Sequence, residues 1–179
     1  MARADFLISF GIAGGLALDL QPGTVILSGE VITEEGHYRT APPLAEAIGG
    51  WAAQLGALEG TVYGSRTILA TSPAKAEYRA KVGSPLAVDL ESGAIARVAA
   101  QRGIPFVILR AIADPAWRDL PAAALLPLVE GRPDLPRVLA SMMRQPGQIP
   151  ALIGLARETR RALRALVVPA RALRRLIGP

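Results

Sequence analysis

The stretch AVDLESGAIARVAAQRGIPFVILRAIADP, residues 87–115, limits what the chain can fold into more than any other. Residues 85–90 and 105–112 are short apolar runs rich in Val, Ile and Leu, the pattern of buried strands. Between them, residues 91–102 are alanine-rich, long enough for three helical turns, and followed by Gly103, a residue suited to ending a helix. Strand, helix and strand in this order predict a parallel crossover with both strand C-termini on one sheet edge. Glu91 follows the first strand and Asp114 follows the second, so two carboxylates meet where open α/β sheets bind ligands. A plainer reading stands beside this one: Glu91 favours a helix N-terminus, and Asp114 caps a turn before Pro115. Arg110, inside the second strand, reads either as a structural ion pair beneath the site or as a substrate contact.

The rest of the chain repeats the alternation. Strands are expected at 5–10, 24–32 and 65–71, and helices at 43–55, 73–81 and 136–145. Ser72-Pro73 suits a helix start, with the serine as cap and the proline where its missing donor costs little. Continuous apolar strands separated by helices indicate an α/β sheet covered on both faces. With 179 residues, 51% of them apolar, the chain can bury one substantial core. The N-terminal run from Phe6 to Leu18 would on composition also suit a signal peptide; Asp5 and three internal glycines favour a short strand running into a glycine turn, FGIAGGL, residues 10–16. No uninterrupted apolar run reaches the ~18 residues of a membrane span.

Charge and cysteine content exclude several classes. There is no cysteine and one histidine, so disulfides and thiolate metal sites are ruled out, no metal site is expected, and a reducing, cytoplasmic setting is natural. The net charge of +5 is uneven: residues 1–150 hold 13 Lys and Arg against 14 Asp and Glu, whereas 151–179 hold seven Arg and only Glu158. A nucleic-acid groove spreads charge over a face and interleaves aromatic residues; this tail has none, so no nucleic-acid partner is expected. The division suggested is a body, 1–150, and a basic amphipathic helical tail, 151–179. In that tail Leu152, Leu155, Thr159, Leu163 and Leu166 share one face, and Arg157, Arg160, Arg161 and Arg164 share the other. After Pro169, Arg171, Arg174 and Arg175 oppose Leu173, Leu176 and Ile177. Such a helix docks on its own domain or lies on an anionic membrane surface.

The glycine turn exposes backbone donors that suit an anion or a sugar hydroxyl, but it matches neither the dinucleotide fingerprint nor a P-loop. Taken in order, FGIAGGL, QPGTVILSGEVI, VDLES and RAIADP resemble the nucleoside phosphorylase and nucleosidase superfamily over residues 5–115. The following ADPAWRDLPAAAL and RPDLPRVLASMMRQPGQIPALIGLAR look like the hopanoid-associated phosphorylases, bacterial proteins thought to remove adenine from adenosylhopane. The resemblance implies an α/β three-layer sandwich of the phosphorylase/hydrolase type with a mixed central sheet, here N-terminally shortened relative to the family's upstream strand, helix and strand.

For function, the resemblance implies cleavage of the N-glycosidic bond of an adenosine-type nucleoside. Asp114 would protonate or hydrogen-bond the purine N7, and Glu91 would accept hydrogen bonds from the ribose 2′ and 3′ hydroxyls. The main chain of Gly11, Ile12, Ala13 and Gly14 would lie near the ribose and the nucleophile, although Ile12 stands where many members carry serine. Arg110 would act, if at all, from behind the site. The segment that contacts the base in many relatives appears here as ATSPAKAEYRA, which offers Ser72, Lys75 and Tyr78 but no aspartate. No cofactor is implied beyond inorganic phosphate as a co-substrate, and self-association is implied by the relatives. Adenosylhopane is the leading substrate. Methylthioadenosine, S-adenosylhomocysteine or a purine nucleoside is the alternative, and a non-catalytic adenine- or membrane-surface-binding protein is a third.

Overall fold

The computed structural model describes residues 6–126, 128–129, 132–133 and 135–177, and side chains for 6–126 and 140–172. The start of the first expected strand, the N-terminal part of the 136–145 side chains and the Leu173–Ile177 face therefore lie outside the described side chains.

In chain order the elements are β1 (Leu7–Gly15), β2 (Val25–Ser28), β3 (Glu30–Ile32), β4 (His37–Arg39), α1 (Pro42–Leu55), β5 (Leu58–Glu59), β6 (Val62–Gly64), α2 (Ser72–Lys81), β7 (Ala87–Asp89), α3 (Ser92–Arg102) and β8 (Phe106–Asp114). A two-stranded ladder, β9 (Leu128–Val129) with β10 (Arg132–Pro133), and helices α4 (Leu135–Arg144), α5 (Ile149–Ala165) and α6 (Val167–Ile177) follow. The main sheet is mixed, with strand order β4-β3-β6-β7-β1-β8-β2-β5. β2 and β3 are separated only by Gly29 yet lie near opposite ends of that order, so the sheet must curl to bring its ends together. Gly29 permits this because a Cβ there would sit 2.6 Å from Ile48 and 2.7 Å from Thr40. The single strand expected at 24–32 is thus two, broken where the Ser28 hydroxyl bonds both the N–H and the C=O of Glu30.

β8 shows how the layers form. Phe106, Ile108 and Ile112 pack with Ala96 and Ala99 of α3 on one face. Val107, Leu109, Ala111 and Ala113 pack on the other with Ile48 and Ala52 of α1, and with Ala162 and Leu166. The result is a three-layer α/β arrangement with a mixed central sheet. α5 packs along β8, so the first tail helix covers the sheet. Ala162 of α5 and Leu166 at its C-terminal end are buried, while Leu163 is half exposed, a rotation from the face expected at 152–166. The cause is volume: the small Ala162 lets the helix approach β8 closely, which Leu163 on that face would prevent.

Three further expectations are corrected. FGIAGG is strand, because β1 runs to Gly15 and pairs with β8 from Leu7 to Gly14. Residues 65–71 form a loop after β6, because the Ser65 side chain bonds Thr67 O at 2.7 Å and Thr67 N at 3.2 Å and so offers the backbone a local alternative to a ladder. The α2 cap is Thr71 rather than Ser72, its side chain accepting from Ala74 N. Gly103 does end α3, at φ 62°.

Candidate active site

β7 and β8 are not parallel. β1 lies between them, parallel to β8 and antiparallel to β7. The curl of the sheet lets β7 cross only the last residues of β1, Gly14 beside Val88 and Gly15 beside Ala87. On its other side Gly14 is beside Asp114, after a bulge that shifts the register between Ala13 and Gly14. The end of β1, and not a parallel crossover, therefore brings the two carboxylate-bearing segments together. A bulge at such a point re-aims the chain that carries it.

The result is a cleft of about 270 Å³ bordered by Ile12–Gly14, Thr67–Leu69, Val88–Glu91, Ala113, Asp114 and Leu120. Glu91 and Asp114 both border it, in different surroundings. The Glu91 side chain is 68% exposed and that of Asp114 only 15%. Burial pushes the Asp114 carboxyl above its ordinary range, against the opposing pull of Lys75 and, more weakly, Arg118. A carboxyl that holds its proton more tightly than usual is suited to donating it.

The glycines of β1 have a reason that spacing did not suggest. None of Gly11, Gly14 and Gly15 has positive φ. A Cβ on Gly11 would lie 2.8 Å from Arg110 Nη1, and one on Gly14 would lie 3.1 Å from Asp114 Oδ2. Two charged side chains of β8 lie across β1, and only glycine leaves them room. Of the four main-chain positions named, Ile12, Ala13 and Gly14 border the cleft, whereas Gly11 lies against Arg110.

Arg110 is buried and faces away from solvent into a polar cluster. It donates to Asp89 Oδ2 at 2.5 Å, Ser9 Oγ at 2.6 Å and Ser92 Oγ at 3.1 Å, with Glu91 Oε2 3.7 Å away. Asp89 was not singled out from sequence, although it organises this corner. Its Oδ1 accepts from Glu91 N at 2.9 Å and Ser92 N at 2.7 Å, while Oδ2 takes Arg110 and the Ser92 hydroxyl. Asp89 thereby fixes both the start of α3 and the backbone of Glu91. Its signal was the Asp-x-Glu-Ser spacing in VDLES, an acceptor two and three residues before free helix N–H groups.

Lys75 is the other residue without an assigned role from sequence. It is fully buried and donates to Asp114 Oδ2 at 2.6 Å. Tyr78 packs against Tyr63, ring centroids 5.5 Å apart, and His37 lies on β4 beside Glu30, neither bordering the cleft. Arg118, in the loop after β8, reaches Glu158 of α5 at 2.5 Å. Among the described residues no cluster of three His, Asp or Glu is placed to hold a metal ion.

Residues 1–125 match the family model described as Phosphorylase superfamily. The 5′-methylthioadenosine/S-adenosylhomocysteine nucleosidase of Geobacillus thermodenitrificans is 32% identical over 137 residues, covering 65% of this chain and 58% of its own. That of Listeria monocytogenes is 36% identical over 143 residues, covering 65% of this chain and 60% of its own. The chain thus spans less than two thirds of these relatives' length. A crystal structure of the Colwellia psychrerythraea nucleosidase in complex with adenine superposes with a TM-score of 0.56 at 25% identity, covering 63% of this chain and 55% of that one. With a matched segment that holds β1, the β7–α3 turn and all of β8, the chain belongs to the phosphorylase superfamily.

Proposed function

We propose that the chain cleaves the N-glycosidic bond of an adenine nucleoside. The observation that carries this reading is the pairing of unlike carboxylates on one cleft: Asp114 buried with a raised proton affinity, and Glu91 open to solvent. Breaking the bond develops positive charge on the ribose and negative charge on the departing base. Inorganic phosphate, or a water that releases one proton to solvent, attacks C1′, the C1′–N9 electron pair passes into the purine, and Asp114 gives its proton to N7. Glu91 accepts the ribose 2′ and 3′ hydroxyls and supports the oxocarbenium character of the sugar. The main chain of Ile12–Gly14 lines the same wall.

The narrower reading is adenosylhopane as substrate. It is supported by the sequence after Asp114 and by the apolar rim of the cleft, where Ile12, Ile68 and Leu90 are 37%, 49% and 47% exposed. An apolar rim suits a substituent larger and greasier than a methylthio group. The second reading, a methylthioadenosine or S-adenosylhomocysteine nucleosidase, is favoured by the names of the relatives. Mass spectrometry of products from adenosylhopane and from methylthioadenosine, each with and without phosphate, separates them. Adenine from adenosylhopane alone supports the first reading, and adenine from methylthioadenosine alone the second. Unchanged turnover in Asp114→Asn would refute the mechanism for either, and adenine binding without any turnover would reduce the chain to a binding protein.

A further inference from the structure

The chain contains two lysines. Lys81 is exposed at the end of α2, and Lys75 is fully buried in the same helix. A buried ammonium is costly unless its charge is paired and its protons are bonded. Lys75 meets both conditions at the end of β8: it donates to Asp114 Oδ2 at 2.6 Å, Pro115 O at 3.0 Å and Arg118 O at 3.0 Å. That is one acceptor for each proton of the ammonium. The same two segments are joined by Ser72 N to Asp119 Oδ1 at 2.6 Å and by Leu120 N to Ala70 O at 2.8 Å. The first turn of α2 is therefore sewn to the loop that follows the acid, and the charge at the centre of the seam touches the carboxyl that borders the cleft.

We propose that Lys75 is a positioning residue for Asp114, holding Oδ2 so that Oδ1 is presented to the base and neutralising the carboxylate formed when the proton is given up. This rests on the function proposed above. In that reaction the proton leaves Asp114 for purine N7 as the C1′–N9 bond breaks, and the negative charge left on Asp114 faces an ammonium already in place. Lys75 itself moves no proton. Charge stabilisation by a preformed, dehydrated partner is effective because nothing has to reorganise as the charge appears. The charged groups around Asp114 are Lys75 from α2, Arg118 from its own loop, and Asp89 and Glu91 across the cleft from the β7–α3 turn. β1 contributes no charged side chain there, only Ile12, Ala13 and Gly14. Lys75 is the one cation among these in direct contact with the carboxyl.

Burial raises the proton affinity of Asp114 and Lys75 lowers it. Without the lysine charge burial is less opposed, so Asp114 keeps its proton to higher pH and is a weaker acid. In the full chain, Lys75→Met is expected to lower kcat about tenfold or more, part of the ~10²–10⁴-fold that a positioned acid supplies. KM should change little, the high-pH limb of the rate profile should move upward, and Lys75→Arg should hold it near the original pH. The Asp114 carboxyl titration, read by 13C NMR and assigned by difference against Asp114→Asn, gives the same information without turnover. An upward move in Lys75→Met supports the proposal; a titration that stays put or falls overturns it. If Lys75→Met does not fold, Lys75→Gln and Lys75→Arg are compared, and the proposal fails unless Gln titrates above Arg. Because this measurement needs no substrate, a chain that releases adenine from no nucleoside would sink the proposed function while the role of Lys75 is still decided.

Discussion

Asp89→Asn is the most informative single change, because it removes one charge and almost no volume. Asp89 and Arg110 side chains are each 2% exposed, and their contact is 2.5 Å. Asparagine can still accept from Glu91 N and Ser92 N through its oxygen, but its amide would then point a donor at the Arg110 Nε donor. What remains within hydrogen-bond distance of the guanidinium is the Ser9 and Ser92 hydroxyls, both neutral. Breaking a buried pair while leaving one charge behind costs about 3–5 kcal/mol. Against a total stability of roughly 5–15 kcal/mol, that is a large share. For a chain of this size it lowers Tm by roughly 6–20 °C, at about 2–4 °C per kcal/mol. Thermal and urea unfolding followed by circular dichroism measure the loss. Asp89→Asn/Arg110→Met, which removes both charges, should recover most of it, since an apolar replacement of a whole buried pair is often neutral. A loss below about 1 kcal/mol in the single variant, or a double variant no more stable than the single, would refute the assignment of Arg110 and Asp89 as a buried structural pair. A second readout concerns the site: freed of Asp89, Arg110 is drawn toward Glu91, 3.7 Å away, and KM for the nucleoside should rise more than kcat falls.

Gly14→Ala puts a methyl 3.1 Å from an Asp114 oxygen that Lys75 holds in place, so the acid must shift; turnover should fall about 10- to 100-fold with the fold intact, in line with the ~10²-fold cost of a 1 Å misplacement. Gly11→Ala crowds Arg110 at 2.8 Å and should cost about 1–3 kcal/mol by overpacking, measured by urea unfolding, and no loss would mean that the guanidinium is free to move. Deleting residues 151–179 strips Ala162 and Leu166 from the face of β8 and should abolish cooperative unfolding, so it cannot serve as a clean test of membrane contact. That test is Arg157→Gln/Arg160→Gln/Arg164→Gln, three exposed arginines: if the tail meets an anionic bilayer, flotation with anionic vesicles should weaken roughly 100-fold, at about 1 kcal/mol per arginine, and unchanged flotation would exclude the contact.

What was legible in the sequence follows from range. α1, α2, α3 and α4 begin and end within a residue of their expected bounds, because a proline near a start, a glycine at a stop and alanine-rich spacing are local signals. β7 and β8 were legible for the same reason, being apolar runs between breakers. Strand direction was not. That β7 opposes β8 depends on the curl imposed where Gly29 joins β2 to β3, a relation between sheet edges that no window of residues contains. FGIAGG read as a turn because glycine is locally a turn former; it is strand because Arg110 and Asp114 of a strand almost 100 residues later need the space. Asp114 and Glu91 stood out through their position after apolar runs. Lys75 did not, since a lysine in a polar helix is ordinarily a solvated one and only tertiary packing buries it.

The end of β8 is gripped from both layers, and this couples the tail to the chemistry. From the α3 side, Asp89 and Ser92 hold Arg110 and set the backbone of Glu91. From α2, Lys75 holds Asp114 and the carbonyls of Pro115 and Arg118. From α5, Glu158 holds the Arg118 guanidinium, which also stacks 5.2 Å over Trp117. Arg118 is thus a hinge between the acid and the tail: its carbonyl receives Lys75 while its side chain is anchored on α5. Glu158 is the only acid among the tail's seven arginines, and its side chain pairs with Arg118 of the site loop. Surface salt bridges contribute little, but these side chains are only 22% and 16% exposed, and the pair fixes a loop rather than decorating one. Glu158→Gln should therefore loosen residues 115–120 more than it lowers global stability. Hydrogen exchange at Arg118 N and Leu120 N, whose bonds to Pro115 O and Ala70 O close that loop, reads the effect directly. Faster exchange at these two amides with an unchanged β8 is the expected result. Equal acceleration throughout β8 would mean that α5 acts as a simple cover for the sheet, with no separate hold on the acid's loop.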